Sequence, residues 1–182
     1  MLVYRIAPVD PTAKPTRTGH PLFVDPAWQG GGRWDNPSQY DLLYLSEHAD
    51  GAVAEIFQGF DTWTPVMFHH PAAGFDRQLV TYDLPAKARV IDLDDARFLD
   101  DHHIRPSRVA SKNTVITQDI ALRLHTDLGT TTVGLKWWSS LDADWTSYAL
   151  WNRRLLTLEK IEPLTITHPA VVAAARRLGR RL

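Results

Sequence analysis

Along Leu2-Val3-Tyr4-Arg5-Ile6-Ala7 the residues are β-formers, with Leu2, Tyr4 and Ile6 on one pleat face and Arg5 on the other. The pattern predicts a first strand. Arg5 has two readings there: a lone charge reaching solvent from an edge strand with its stem on apolar surface, or a buried cation awaiting an anion. Residues 8–37 hold no sustained period and are punctuated by Pro and by Gly30-Gly31-Gly32, which predicts a long loop. Loops of that length are more often functional than idle. Leu42 to Leu45 predicts a short buried strand, with Ser46 as cap of a helix that carries Glu47 in its first turn. Ala49, Ala52, Val53, Ile56 and Phe57 follow the i, i+3, i+4, i+7, i+8 rule and predict the buried stripe of that helix. Glu55 lies off the stripe beside the small residues Gly51, Ala52 and Gly59, which leaves room around its carboxylate. The plain alternative is a solvated helix glutamate.

Residues 60–75, including His69-His70, predict loop or irregular helix, and strands are expected over 79–84 and 89–93 on either side of Pro85. The polar segment 94–103 ends in His102-His103. Adjacent histidines project to different sides of an element, so neither pair has ligand spacing and no metal site is expected. Ile116, Ile120, Leu124 and Leu128 repeat every four residues and predict a helix over 113–128 stopped by Gly129. Residues 130–138 are β-prone, with Trp137 and Trp138 facing opposite ways, one to the core and one to a cleft or surface. A short helix is expected over 145–151, a closing strand over 155–161, and a last helix from about 168 to 180 with Pro169 in its first turn. Arg176, Arg177, Arg180 and Arg181 read as a solvated face matched to the dipole of that helix, with a nucleic-acid or partner patch as the alternative. No repeat or linker divides the chain, so a single α+β domain over 1–182 is expected.

Totals narrow the function. The chain has 182 residues and a formal net charge of -1, so one sizeable core is expected and no global field would draw in a nucleic acid. Direct nucleic-acid binding is not expected. With no cysteine, disulfides and thiolate metal sites are excluded. No charged apolar leader or run of ~20 apolar residues is present, and the expectation is a cytoplasmic protein with no membrane partner.

There is no G-x-S-x-G elbow, no Walker loop and no G-x-G-x-x-G before a helix. What remains is a cationic turn, an aromatic on an apolar strand, a carboxylate on a helix, Arg5 and a serine pair. This set lacks a strong nucleophile and suits a leaving group that is already activated. Nicotinamide on ribose is such a group, because it departs as a neutral molecule and needs no general acid. The protein would have only to hold the pyrophosphate, grip the ring and stabilise an oxocarbenium-like ribose.

Tyr4-Arg5, Gly32-Arg33-Trp34-Asp35, Leu43-Tyr44-Leu45-Ser46, Ala54-Glu55-Ile56, Thr117-Gln118 and Gly134-Leu135-Lys136-Trp137-Trp138-Ser139 occur in the order of the RES domain, which the chain resembles over about residues 3–162. The resemblance implies a fold similar to the ADP-ribosyltransferase fold, with mixed or antiparallel sheets and flanking helices. It further implies a toxin partnered by an Xre-like antitoxin, acting on NAD as substrate by hydrolysis or phosphorolysis without a metal. Carried onto this chain, Arg5 and Arg33 would bind phosphates, with Tyr4 beside them. Tyr44 would stack on nicotinamide or its ribose, Glu55 would bond the ribose and steady developing positive charge, and Ser139 would orient the substrate. Two positions depart from the family pattern: Asp35 stands where Asn is usual, and Trp138 where Pro often precedes the serine. Asp35 must therefore point away from a bound pyrophosphate or weaken it, and Ser140 is an alternative to Ser139. Rival readings are ADP-ribosyl transfer to a macromolecule and a non-catalytic binding module using the basic tail and Trp137-Trp138.

Overall fold

In the computed structural model, which describes residues 1–182, the order is β1 (Leu2–Pro8), β2 (Leu43–Ser46), α1 (Ala49–Phe57), β3 (His69–His70), β4 (Phe75–Asp83), β5 (Val90–Asp92), α2 (Ala96–Asp101), α3 (Pro106–Val109), α4 (Thr114–Leu128), β6 (Gly134–Trp138), β7 (Thr146–Leu150), β8 (Thr157–Pro163) and α5 (Pro169–Leu178). All eight strands join one sheet in the order β3-β4-β1-β2-β7-β6-β5, with β8 also pairing β4. Only β5 and β6 run parallel. No helix is long and apolar enough to cross a membrane.

Strand alternation sorts the core into a front and a back. The back face carries Val3, Leu43, Val80, Tyr82, Tyr148 and Leu150, which pack under the loop residues Val9, Val24 and Leu156. Two separate groups of helices cover the front. α1 and α5 bury Val53, Phe57, Val171 and Ala174 against Ile6 and Leu79. At the other end α4, with Leu99 from α2 and Val109 from α3, buries Ile120 and Leu124 against Leu135, Trp137 and Ala149. Between the groups the sheet itself is loosely joined. β1 pairs with β4 from Leu2↔Asp83 to Pro8↔Arg77, whereas β1 meets β2 only at Tyr4↔Ser46. A strip of front face is thus left without a helix.

Several sequence expectations need correction. Residues 146–150 form a strand, not a helix, and β7 pairs with β2 on one side and β6 on the other. Two waiting edges outweigh a weak local preference, and β7 is buried on both faces from Ser147 to Leu150. Ser46 ends β2 instead of capping α1. The cap position is His48, whose backbone N–H donates to Ser46 Oγ at 3.2 Å. Ile56 is 43% exposed because α5 packs on the flank formed by Ala52, Val53 and Phe57, which leaves Ile56 facing the uncovered strip. The arginine tail is not simply solvated. Arg177 pairs with Asp142 and Asp144 at 2.9 and 3.2 Å, and Arg180 pairs with Asp61 at 2.7 Å.

The predicted helix over 113–128 is α4, capped by Asn113 and ended by Gly129. Trp137 serves both roles that were expected of two tryptophans: it packs in the core and lines the uncovered strip.

At Gly51 α1 lies close against Ser46 and Trp145. Helix propensity alone favours Ala there by about 1 kcal/mol. An added Cβ would stand 2.6 Å from Ser46 Oγ and 3.2 Å from the Trp145 ring. Gly51→Ala is therefore expected to destabilise by about 1–3 kcal/mol despite the better propensity. A thermal melt checks this, and an unchanged or raised Tm would show that α1 can shift at no cost.

Candidate active site

Where the two helical groups part, a cleft of about 650 Å³ opens onto the front of the sheet. Tyr4, Tyr44, Ser46 and Ser147 form its floor, and this run of polar groups suits a strip that no helix covers. Glu55 and Ile56 of α1 line it, as do the Gly31–Arg33 turn and residues 110–112 between α3 and α4.

The glycine turn is built around a buried carboxylate. Asp35 is 3% exposed, and its Oδ2 accepts from the backbone N–H groups of Gly30 and Gly32, each at 2.8 Å. Its Oδ1 accepts from the Tyr44 hydroxyl at 2.6 Å. From the other side, Gln118 Nε2 donates to the carbonyls of Gly30 and Gly32 at 3.1 and 2.9 Å. No side chain fits at Gly32: a Cβ would stand 2.5 Å from the Tyr44 hydroxyl and 2.8 Å from both Asp35 oxygens. The turn is flexible in composition and rigid in place. Asp35 faces inward, away from the cleft, so of the two outcomes posed by its presence the structure takes the first.

Tyr44 is consequently committed. Its proton goes to Asp35, and its oxygen accepts from Trp34 N–H at 3.2 Å. Burial, followed by the Asp35 charge, pushes the phenol well above the ordinary tyrosine range. What Tyr44 offers the cleft is a ring surface, held edge-on against Trp137 with centroids 6.3 Å apart.

Arg33 lies over the Trp34 ring at 5.4 Å and donates through Nη2 to the Val109 carbonyl. Its Nε is buried without a hydrogen-bond partner, and no carboxylate lies within ion-pair distance. Burial lowers its pKa, while the charge of nearby Glu55 and then Tyr44 oppose that shift. Glu55 is exposed to the cleft, and its Oε1 accepts from Ser139 Oγ at 2.8 Å. Ser139 is 4% exposed, its Oγ accepts from Leu141 N–H at 3.1 Å, and its own N–H donates to the Trp145 carbonyl at 2.7 Å. Ser140 is exposed and lines the cleft, so of the two serines Ser139 is the one bonded to Glu55.

Arg33, Tyr44, Glu55, Ser139 and Tyr4 are thus brought to one place. Arg5 borders the cleft, but alternation turns its side chain to the back face, where Nη1 donates to the carbonyls of Pro21 and Phe23 at 3.2 and 3.4 Å. It is a half-buried cation, its pKa lowered by desolvation, and it ties the long loop to the sheet. Three contributors escaped sequence reasoning. The organising roles of Asp35 and Gln118 depend on contacts across the fold, although Gln118 belongs to a motif already singled out. Lys112, an exposed cation at the cleft with no ion-pair partner, sits in a connection that carries no pattern.

The RES domain family matches residues 2–172, and the chain belongs to that family. No curated protein matches the sequence. Among solved structures the fold is similar to a chain of the crystal structure of the M. tuberculosis MbcT-MbcA toxin-antitoxin complex, with a TM-score of 0.60 at 16% identity over 99% of this chain and 88% of that one. The α+β architecture resembling the ADP-ribosyltransferase fold, expected from the RES likeness, is the one observed.

Asp35→Ala would strand two backbone donors and the Tyr44 hydroxyl, and a loss on the order of 3 kcal/mol is expected. Asp35→Asn can accept from both glycine N–H groups and donate to Tyr44, and should cost under about 1 kcal/mol. Denaturant unfolding of the two variants separates them, and equal losses would refute the hydrogen-bond account of the turn.

Proposed function

We propose that this protein is the toxin of a bacterial toxin–antitoxin pair and that it degrades NAD by cleaving the bond between nicotinamide and ribose. The observation that supports this most directly is the Ser139–Glu55 hydrogen bond at 2.8 Å, on a carboxylate that shares one cleft with Arg33 and the Tyr44 ring. In this reading the C1″–N bond breaks and its electron pair leaves with nicotinamide, which becomes neutral. Glu55 faces the ribose and stabilises the positive charge that develops on it. Ser139 donates to Glu55 Oε1, holding the carboxylate in one rotamer and leaving Oε2 toward the substrate and Gln58.

Tyr44 supplies a flat face for nicotinamide or its ribose, and its committed hydroxyl keeps that ring still. Arg33 meets the pyrophosphate. Lys112 adds a second cation, carried three residues beyond the Val109 carbonyl that holds Arg33. Arg5 supports the same region from behind the sheet. The acceptor is water or inorganic phosphate, giving ADP-ribose or its 1″-phosphate, and no metal takes part. The partner is an Xre-like antitoxin, which would silence the toxin by covering the cleft, and the reaction belongs in the cytoplasm, where NAD is held.

The test incubates purified protein with NAD, with and without phosphate, and measures free nicotinamide. Release is expected in at least one condition, and its absence in both would sink the proposal. Glu55→Gln should cut the rate by about 100- to 1000-fold while leaving the melting curve unchanged, because the side chain is exposed and outside the core. Lys112→Gln should raise KM for NAD by about tenfold, the worth of one charge-assisted contact, and leave kcat near its starting value.

A further inference from the structure

Ser139 is held from outside the family's matched region. The loop that follows it, Ser139 to Trp145, turns back so that the Ser139 N–H donates to the Trp145 carbonyl at 2.7 Å. The loop packs on the α1–α5 core through Leu141 and Trp145. One charged side chain of α5 braces it as well: Arg177 places Nη1 2.9 Å from Asp142 and Nη2 3.2 Å from Asp144, with its guanidinium over the Trp145 ring at 5.4 Å. Three residues later Arg180 reaches the Gln58 carbonyl at 3.0 Å and Asp61 at 2.7 Å, where α1 ends. The last turn of α5 and the residues just past its Gly179 cap therefore grip both segments that meet at the Ser139–Glu55 bond. Arg177 and Arg180 both lie beyond the 2–172 match.

We infer that Arg177 is a positioning residue for the site: by bracketing Asp142 and Asp144 and lying on Trp145, it holds the Ser139 loop at the distance that lets Ser139 orient Glu55. Isolated surface ion pairs contribute little. Arg177 differs because one planar cation is fixed by two carboxylates and an aromatic face at once, and because what it holds is geometry at a reacting group, where a displacement of about 1 Å can cost up to 100-fold in rate. It touches neither Glu55 nor the cleft, so its effect passes through Ser139.

The inference rests on the proposed NAD cleavage, and a double-mutant cycle on nicotinamide release tests it. Arg177→Gln is expected to lower kcat about tenfold with KM for NAD nearly unchanged. In a Ser139→Ala background the same substitution should have no further effect. Arg177→Lys should recover only part of the rate, since a point charge cannot bracket two carboxylates. Raising the salt concentration should lower kcat of the parent toward that of Arg177→Gln while leaving the variant flat.

Val171→Ala controls for stability, because it removes buried volume from the α1–α5 contact. It should lower Tm at least as far and leave kcat per folded molecule intact. Arg176→Gln, on the same turn without an ion pair, controls for charge. If Ser139→Ala is slow but Arg177→Gln is as fast as the parent, or if the two losses multiply, the positioning role is wrong while the NAD reading stands. If the parent protein releases no nicotinamide, the functional reading itself fails, and the role of Arg177 in it fails as well.

Discussion

A sheet face that no helix covers must solve its own solvation, and much of this molecule follows from that constraint. The two helical groups pack at opposite ends of the front face, and the strands between them touch at the single bridge Tyr4↔Ser46. Apolar side chains on the bare strip would be exposed, and polar ones need partners. The strip carries Ser46, Ser147, Tyr4 and Tyr44, flanked by a carboxylate and two cations, and so becomes a cleft with an aromatic and polar floor. Helix packing places the cleft before any of its polar side chains is considered.

Within the cleft a second principle operates: each polar group is held by a partner behind it. Asp35 holds Tyr44 and the glycine turn, Gln118 holds the turn from behind, the Val109 carbonyl holds Arg33, and Ser139 holds Glu55. Asp and Asn would serve the turn equally, but they differ in what they ask of Tyr44. A carboxylate can only accept, so the phenol must donate to it, and the ring's contribution is restricted to its surface.

Local patterns made α4, β1 and the off-stripe place of Glu55 legible, because each rests on periodicity within a few residues. The strand character of 146–150 was not, since its partners β2 and β6 lie elsewhere in the sequence and only their edges make the strand. Arg5 illustrates the limit at the site. Alternation set it opposite Tyr4, yet whether that face held an anion or the carbonyls of a returning loop depended on Pro21 and Phe23. The tail arginines failed for the same reason: Asp61, Asp142 and Asp144 are distant in sequence and adjacent only after α5 has docked.

The place of β7 in the sheet has a consequence for how the chain is made. β2 and β6 have no edge in common and are paired only through residues 146–150, so the two halves of the sheet cannot be hydrogen-bonded into one until that segment has left the ribosome. Every earlier nascent chain holds the glycine turn and α1 but lacks the strand that brings them to β6. Non-local pairing of this kind forms late and slowly. The sheet that floors the cleft is therefore completed only near the end of translation.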